Sequence, residues 1–294
     1  MNTFVATIDL TLADKLRGDL SQQGFELTQP PYTLFSAQKK GVSCTLYTSG
    51  KLTVQGKDKD DFIAYYLEPE ILKTLTYTYP EIGVDMTARI GVDEAGKGDY
   101  FGPLCIGGVF ADEAGIKKLL ELGVRDSKRM SDKSVLDMAK KIRAHSPHAI
   151  VRISPKKYNE LYANFHNLNR LLAWGHATAI GELIEKTSCT TVLIDQFASE
   201  PLVETALKRK NINAKLTQRP RAEEDPVVAA ASILARAAFL EGLENLSEQL
   251  GIPLPKGANH QIIETGKKLV KEKGKEILSE VAKLHFKTTE EILS

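Results

Sequence analysis

The stretch from Arg89 to Val109, RIGVDEAGKGDYFGPLCIGGV, constrains the fold more than any other part of this 294-residue chain. Ile90, Gly91 and Val92 read as a buried strand. It runs into two adjacent carboxylates, Asp93 and Glu94, and then into a glycine-lysine-glycine turn at Gly96, Lys97 and Gly98. Leu104 to Phe110 is a second apolar run and reads as the return strand of a hairpin. Neighbouring residues of a strand point to opposite faces. A site shared by Asp93 and Glu94 is therefore expected at a strand end, where the chain leaves its pleat. Carboxylates gathered at such a point suit Mg²⁺ or Mn²⁺, hard cations that take oxygen ligands. An exposed acidic turn is the competing reading of the Asp-Glu pair alone.

Two later stretches add to the first. In TTVLIDQFASE, Thr190 to Glu200, the apolar residues Val192 to Ile194 form a strand that closes on Asp195. Open α/β sheets place their sites at such carboxyl ends. By itself Asp195 also fits a helix cap or a turn; beside Asp93 and Glu94 it is a third carboxylate at the end of a central strand. In QRPRAEEDPVVAAASILARAAFL, Gln218 to Leu240, the spacing predicts an alanine-rich helix over 227–240, with Ser232 and Arg236 four apart. Small residues let a helix lie close against a sheet. Glu223, Glu224 and Asp225 precede Pro226, which suits the first turn of a helix, where acids are favoured by the helix dipole. Their position just before a tightly packed helix also makes one of them a candidate fourth ligand.

The remainder reads as two units. Residues 1–85 form a small α+β unit: a strand over 3–9, a helix capped by Thr11 with Leu12, Leu16 and Leu20 at helical spacing, strands over 32–38, 42–48 and 51–55, and a helix over 60–67. One sheet with its helices on a single face leaves the other face free to bind. Lys39, Lys40, Lys51, Lys57 and Lys59 cluster at the turns and suit either phosphate contact or a solvated edge. The linker is expected over 80–89. From there to the end strands and helices alternate in an α/β pattern, and the helix over 167–186 carries Trp174 and His176 as core residues. A net charge of +1 gives no global attraction to a polyanion, so any nucleic-acid site must be local. Cys44, Cys105 and Cys189 are widely spaced and form no metal motif, which points to a reducing compartment. No signal-like start and no apolar run of membrane-spanning length is present. The expectation is a cytoplasmic protein with no membrane partner, and a monomer by default.

GVDEAGKGDYFGPL, the Asp-Ser-Lys loop at 126–128, LIDQF, RAEE followed by AAASILAR, and the late PKGAN and KLHFKTTEEIL together resemble ribonuclease HIII over essentially the whole chain. Ribonuclease HII shares the DEAG-[KR]-G opening and the ASILA helix; DYFGPL, DQF, KLHFK and the N-terminal extension are similar to the HIII branch. The resemblance implies a ribonuclease H-like mixed sheet flanked by helices over 86–294. It implies a TATA-box-binding-protein-like domain over 1–85 that helps hold substrate.

The same resemblance implies Asp93, Glu94, Asp195 and Glu223 as catalytic, metal-holding residues. Glu224 stays open as the fourth, because the gap from Arg221-Ala222-Glu223 to Ser232 is slightly shorter than the family pattern. Substrate contacts are implied at Gly96, Lys97, Gly98, Ser127 and Lys128. The implied reaction is internal hydrolysis of the RNA strand of an RNA/DNA hybrid by two Mg²⁺ or Mn²⁺ ions, leaving 5′-phosphate and 3′-hydroxyl ends. The rival outcomes are ribonuclease HII-like cutting at single ribonucleotides in DNA and hybrid binding without catalysis. A phosphate-binding P-loop over 91–97 is disfavoured: position 98 is glycine where a hydroxyl is needed, and two carboxylates would face the triphosphate.

Overall fold

The structure is a computed structural model that describes residues 3–79, 82–124, 130–196 and 200–294. The chain divides into two compact units, Met1–Val84 and Asp85–Ser294. The first contains β1 (Phe4–Thr7), α1 (Ala13–Gln22), β2 (Glu26–Thr28), β3 (Thr33–Lys39), β4 (Val42–Tyr47), β5 (Lys51–Gln55) and α2 (Lys59–Phe62), which continues as a π-helix over Ile63–Leu72. Its sheet is antiparallel, in the order β1-β5-β4-β3-β2. Burial alternates along β4: Val42, Cys44 and Leu46 join Leu16, Leu20, Ile63 and Leu67 of the helices in one core. Ser43, Thr45 and Tyr47 occupy the other face.

Two expectations for this unit need correcting. Asp9, not Thr11, opens the first helical segment: its carboxylate accepts the Thr11 N–H at 2.9 Å and caps a 3₁₀ turn, so α1 begins only at Ala13. The second helix does not stop at Leu67 but runs to Leu72 with Pro69 inside it. Proline cannot donate in an α-helical ladder, and the wider π winding accommodates it. The buried Glu68 then takes the N–H groups of Tyr77 and Thr78, fastening the segment that follows.

The second unit contains β6 (Arg89–Ala95), β7 (Leu104–Ala111), α3 (Glu113–Glu121), α4 (Asp132–His145), β8 (His148–Ile153), α5 (Pro155–Phe165), α6 (Leu168–Thr187), β9 (Thr191–Asp195), α7 (Glu200–Arg209), β10 (Lys215–Arg219), α8 (Pro226–Leu250), α9 (His260–Lys273), α10 (Ile277–Val281) and α11 (Thr288–Leu293). Asp112, Ser131, Ser154 and Asn167 cap α3, α4, α5 and α6 with side-chain oxygens on orphan N–H groups. The sheet order is β10-β9-β6-β7-β8. β6 and β10 run parallel to β9, and β6, β7 and β8 pair antiparallel, so the sheet is mixed.

Helices cover both faces of this sheet. Leu172, Ala179 and Leu183 of α6 pack on Ile90, Val92 and Ile106 on one side. On the other, α8 approaches so closely that a Cβ on Gly91 would fall 2.6 Å from the backbone of Val227 and Val228, and one on Gly107 would fall 2.4 Å from the Ala231 carbonyl. The alanines of α8 are buried in this contact. The helix extends ten residues beyond the expected Leu240, to a left-handed Gly251. Among the described helices only α8 is long and apolar enough to cross a membrane, yet 83% of that stretch is buried within the fold. The expectation that no segment reaches that length is corrected to this extent.

Asp225 caps α8, accepting from the Val227 N–H at 2.9 Å. It also lies 2.7 Å from Arg89 Nη2, with both side chains almost wholly buried. Removing one partner of such a pair strands a buried charge. Asp225→Ala is expected to cost about 3–5 kcal/mol of unfolding free energy, measured by urea denaturation. A loss of under about 1 kcal/mol, the range of an exposed pair, would contradict this role.

Candidate active site

β6 and β9 are parallel neighbours in which Val92 stands opposite Ile194. The next residues, Asp93 and Asp195, therefore lie level on adjacent strands, roughly 4.8 Å apart by ordinary strand spacing. Asp93 shares the α8 face with Gly91. Its carboxylate is hydrogen-bonded by the Ser232 side chain and by the Glu94 N–H at 2.8 Å. Glu94 points the other way, toward α6, where His176 Nε2 lies 3.0 Å from Oε2 and Lys97 Nζ lies 2.8 Å from Oε1.

Asp93, Glu94 and Asp195 line one cleft of about 390 Å³, together with Lys97, Ser232, Arg236 and Lys256. The expectation that the carboxylate pair marks the point where the chain leaves its pleat is corrected here. β6 continues to Ala95, with Asp93 opposite Gly107 and Glu94 opposite Ile106. The two carboxylates reach the cleft from opposite faces of a regular strand.

Asp195 Oδ1 accepts the Ala222 N–H at 3.0 Å, which ties the end of β9 to the 3₁₀ turn Ala222–Glu224. On that turn Glu223 is half-buried, whereas Glu224 is exposed beside Arg221 at 3.9 Å. Asp225, the third acid of the run, is committed to Arg89 and the α8 cap. Ser127 and Lys128 fall in 125–129, outside the described residues.

Burial and the neighbouring Glu94 charge push the Asp93 carboxyl above the usual range. Burial also opposes the charged form of Glu94, but His176 and Lys97 outweigh it and hold that carboxyl low. A buried carboxylate pressed against another is relieved by a hard divalent cation, and the donor set is all oxygen. Among the described residues no three Asp, Glu, His or Cys side chains already group around a common point. The carboxylates fit such an ion by chemistry and would turn toward it.

The glycine-lysine-glycine turn has two different glycines. Gly96 has φ +89°, and a Cβ there would meet the Pro103 carbonyl at 2.3 Å and the Phe239 ring at 2.9 Å. At Gly98 a Cβ would meet nothing within 4 Å, so this side of the turn is open. The loop that follows is fastened from the C-terminal part of the chain. Fully buried Lys283 donates from Nζ to the carbonyls of Asp99 at 2.8 Å and Gly102 at 2.7 Å, while Asp99 Oδ1 accepts the Gly257 N–H at 2.7 Å. Burial pulls the Lys283 ammonium down to about 8.

Lys283 opens the KLHFK motif that supports the family resemblance but carries no role by sequence, and no sequence feature indicates the contact of His176 with Glu94. A lysine enclosed by apolar neighbours in VAKLHF was the available signal for the first. His176 lies on an apolar helix face and gave none.

Residues 90–289 match the family described as Ribonuclease HII, and residues 3–77 match a domain of unknown function (DUF3378). A relative named Ribonuclease HIII from Protochlamydia amoebophila (strain UWE25) is 55% identical over 99% of this chain and 96% of its own. Another of that name from Chlamydia felis is 50% identical over 98% of this chain and 97% of its own. Among solved structures, Bst-RNase HIII in complex with Mn²⁺ is similar at a TM-score of 0.70 and 29% identity, covering 99% of this chain and 98% of that one. Aquifex aeolicus RNase H3 gives 0.58 and 28%, covering 96% and 99%. The mixed sheet flanked by helices, ending on a carboxylate cleft, defines with these matches a metal-dependent enzyme of the ribonuclease H class. The chain belongs to the ribonuclease HIII family.

The two glycines of the turn are expected to separate in a stability measurement. Gly96→Ala should lose about 1–3 kcal/mol or more, from left-handed backbone strain plus the clash. Gly98→Ala should stay within about 0.5 kcal/mol of the parent. Equal melting temperatures for the two variants would contradict the geometry of the turn.

Proposed function

We propose that Asp93, Glu94, Asp195 and Glu223 hold Mg²⁺ or Mn²⁺ in this cleft and that the enzyme there cuts the RNA strand of RNA/DNA hybrids internally. The observation that carries the proposal is the level placement of Asp93 and Asp195 on adjacent parallel strands, with Glu94 next in the chain. When bound, two such ions lower the pKa of the attacking water and stabilise the leaving 3′-oxygen, giving 5′-phosphate and 3′-hydroxyl ends.

The chain supplies the orientation. Ser232 and the Glu94 N–H aim Asp93, the Ala222 N–H aims Asp195, and His176 and Lys97 aim Glu94. Asp93, next to Glu94 in the chain and level with Asp195 across the sheet, would be the central carboxylate of the set that holds the metal. Glu223 is favoured over Glu224 because it is the half-buried acid beside the residue that binds Asp195, while Glu224 faces outward.

Substrate reaches the carboxylates past the turn. Gly98 leaves room for the sugar-phosphate backbone, and Lys97 brings a cation to the same edge. The ribose 2′-hydroxyl is the group by which a close contact distinguishes RNA from DNA. Ser127 and Lys128 are proposed as further backbone contacts. The open face of the first unit, with Ser43, Thr45 and Tyr47, is proposed to hold the hybrid through shape and backbone. Cys44, Cys105 and Cys189 are free thiols, and burial pushes the first two up to about 12, which fits a reducing cytoplasm. A monomer acting without a membrane partner is proposed as the working form.

The test is cleavage of an end-labelled RNA/DNA hybrid with and without Mg²⁺ or Mn²⁺, beside a DNA duplex carrying one ribonucleotide. Internal, metal-dependent cuts in the hybrid are expected. Asp93→Asn should abolish them while hybrid binding stays measurable; a fully active variant would refute the assignment. Efficient cutting at the lone ribonucleotide would place the activity with ribonuclease HII, and binding without any cutting would make the protein a hybrid binder.

A further inference from the structure

We infer that Arg236 and Lys256, yoked by Asp132, form a phosphate subsite that grips the substrate backbone beside the bond to be cut, an inference that rests on the ribonuclease reading above. Three elements distant in sequence build it. Asp132 is the first residue of α4, Arg236 lies on α8, and Lys256 lies in the segment between α8 and α9. Arg236 Nη2 lies 2.9 Å from Asp132 Oδ1, and Lys256 Nζ is bonded to Asp132 Oδ2. Arg236 and Lys256 both line the cleft that holds Asp93, Glu94 and Asp195.

Position along α8 gives the spacing. Ser232 bonds Asp93, and Arg236 follows it by four residues. That is one turn on the same helix stripe, about 6 Å along the axis. The guanidinium thus stands one short step from the carboxylates, where a neighbouring phosphate of a strand seated on Asp93 would pass. Lys256 is held from the other side: Gly257 donates its N–H to Asp99 Oδ1 at 2.7 Å and accepts the Tyr100 N–H at 2.9 Å. The subsite is therefore fixed to the loop that carries the glycine-lysine-glycine turn.

Charge explains why three groups are used. Two cations share the one Asp132 carboxylate, in a chain whose overall charge is close to neutral. All three side chains are partly exposed, between 27% and 47%. Ion pairs so open to water add little to stability, which leaves their convergence on the cleft unexplained by folding alone. Without Asp132, the guanidinium and ammonium would be drawn onto Asp93 and Glu94 and compete with a metal ion. Asp132 holds both cations on its own carboxylate, at the edge of the cleft. An arginine fork beside an ammonium is suited to the oxygens of a phosphodiester.

The experiment uses the full chain with Arg236→Gln, Lys256→Gln and the double variant. Hybrid affinity is measured across a series of salt concentrations, with melting temperature and Mn²⁺ binding by calorimetry alongside. The double variant is expected to bind hybrid more weakly and to raise KM. The slope of log K against log salt should fall by roughly 0.9 for each phosphate that is no longer neutralised, with Mn²⁺ affinity and melting temperature unchanged. The charge-conserving pair Arg236→Lys and Lys256→Arg should retain the slope. Asp132→Asn should weaken Mn²⁺ binding, as the released cations settle on the carboxylates. An unchanged salt slope and KM in a folded double variant would overturn the subsite, and unchanged Mn²⁺ affinity in Asp132→Asn would overturn the yoke. Failure of the parent protein to cut hybrids would refute the ribonuclease reading, and the binding slope alone would then decide the subsite.

Discussion

The close approach of α8 to the centre of the sheet is the contact on which the rest of the second unit depends. It exists because Gly91 and Gly107 present no side chains to the helix, whose alanines let its backbone rest on β6 and β7. A methyl group at either glycine would have to displace main chain, since the atoms it would meet belong to the helix backbone. The buried Arg89–Asp225 pair fixes the start of the helix over the start of β6. From that anchor the helix runs along the strand, so that Ser232 meets Asp93 and Arg236 enters the cleft one turn later. Packing at one end of the strand thereby sets the position of polar groups at the other.

The cleft concentrates negative charge in a place where folding alone would not favour it. Asp93 is buried, and burial together with the neighbouring Glu94 charge holds its carboxyl above the ordinary range. The surrounding groups divide the labour. His176, fully buried in the α6 face, and Lys97, on the turn, stabilise Glu94; Ser232 orients Asp93; the backbone of Ala222 orients Asp195. Oxygen donors gathered along one cleft suit a metal-dependent hydrolase, because the ions must be held while positions stay open to phosphate and water. Lys283 and Gly257 fasten the turn, by binding the carbonyls and carboxylate of the loop after it.

Much of this was legible in the sequence because it is local. An apolar run closing on a carboxylate marks the ends of β6 and β9, and Asp-Pro before an alanine run marks the start of α8. The turn glycines follow from short-range chemistry as well. What escaped depends on partners far away in the chain. β2 is three residues long and β10 alternates weakly, so neither carries a clear period. The continuation of the second helix through Pro69 contradicts the ordinary meaning of proline and is rescued by π winding and the buried Glu68. The opposite facing of Asp93 and Glu94 follows from β6 staying regular to Ala95, which depends on its pairing with β7. His176, Lys283 and the Asp132 cluster are contacts between segments separated by 82 to 184 residues, and no spacing rule reaches that far.

The most direct test of the carboxylate cleft as a metal centre is anomalous diffraction from crystals of the protein soaked in Mn²⁺. The expected result is density for Mn²⁺ bound by Asp93, with Glu94, Asp195 and Glu223 among the remaining ligands, and with Glu94 turned from Lys97 toward the ion. Mn²⁺ bound elsewhere, or in the cleft without Asp93, would contradict the assignment.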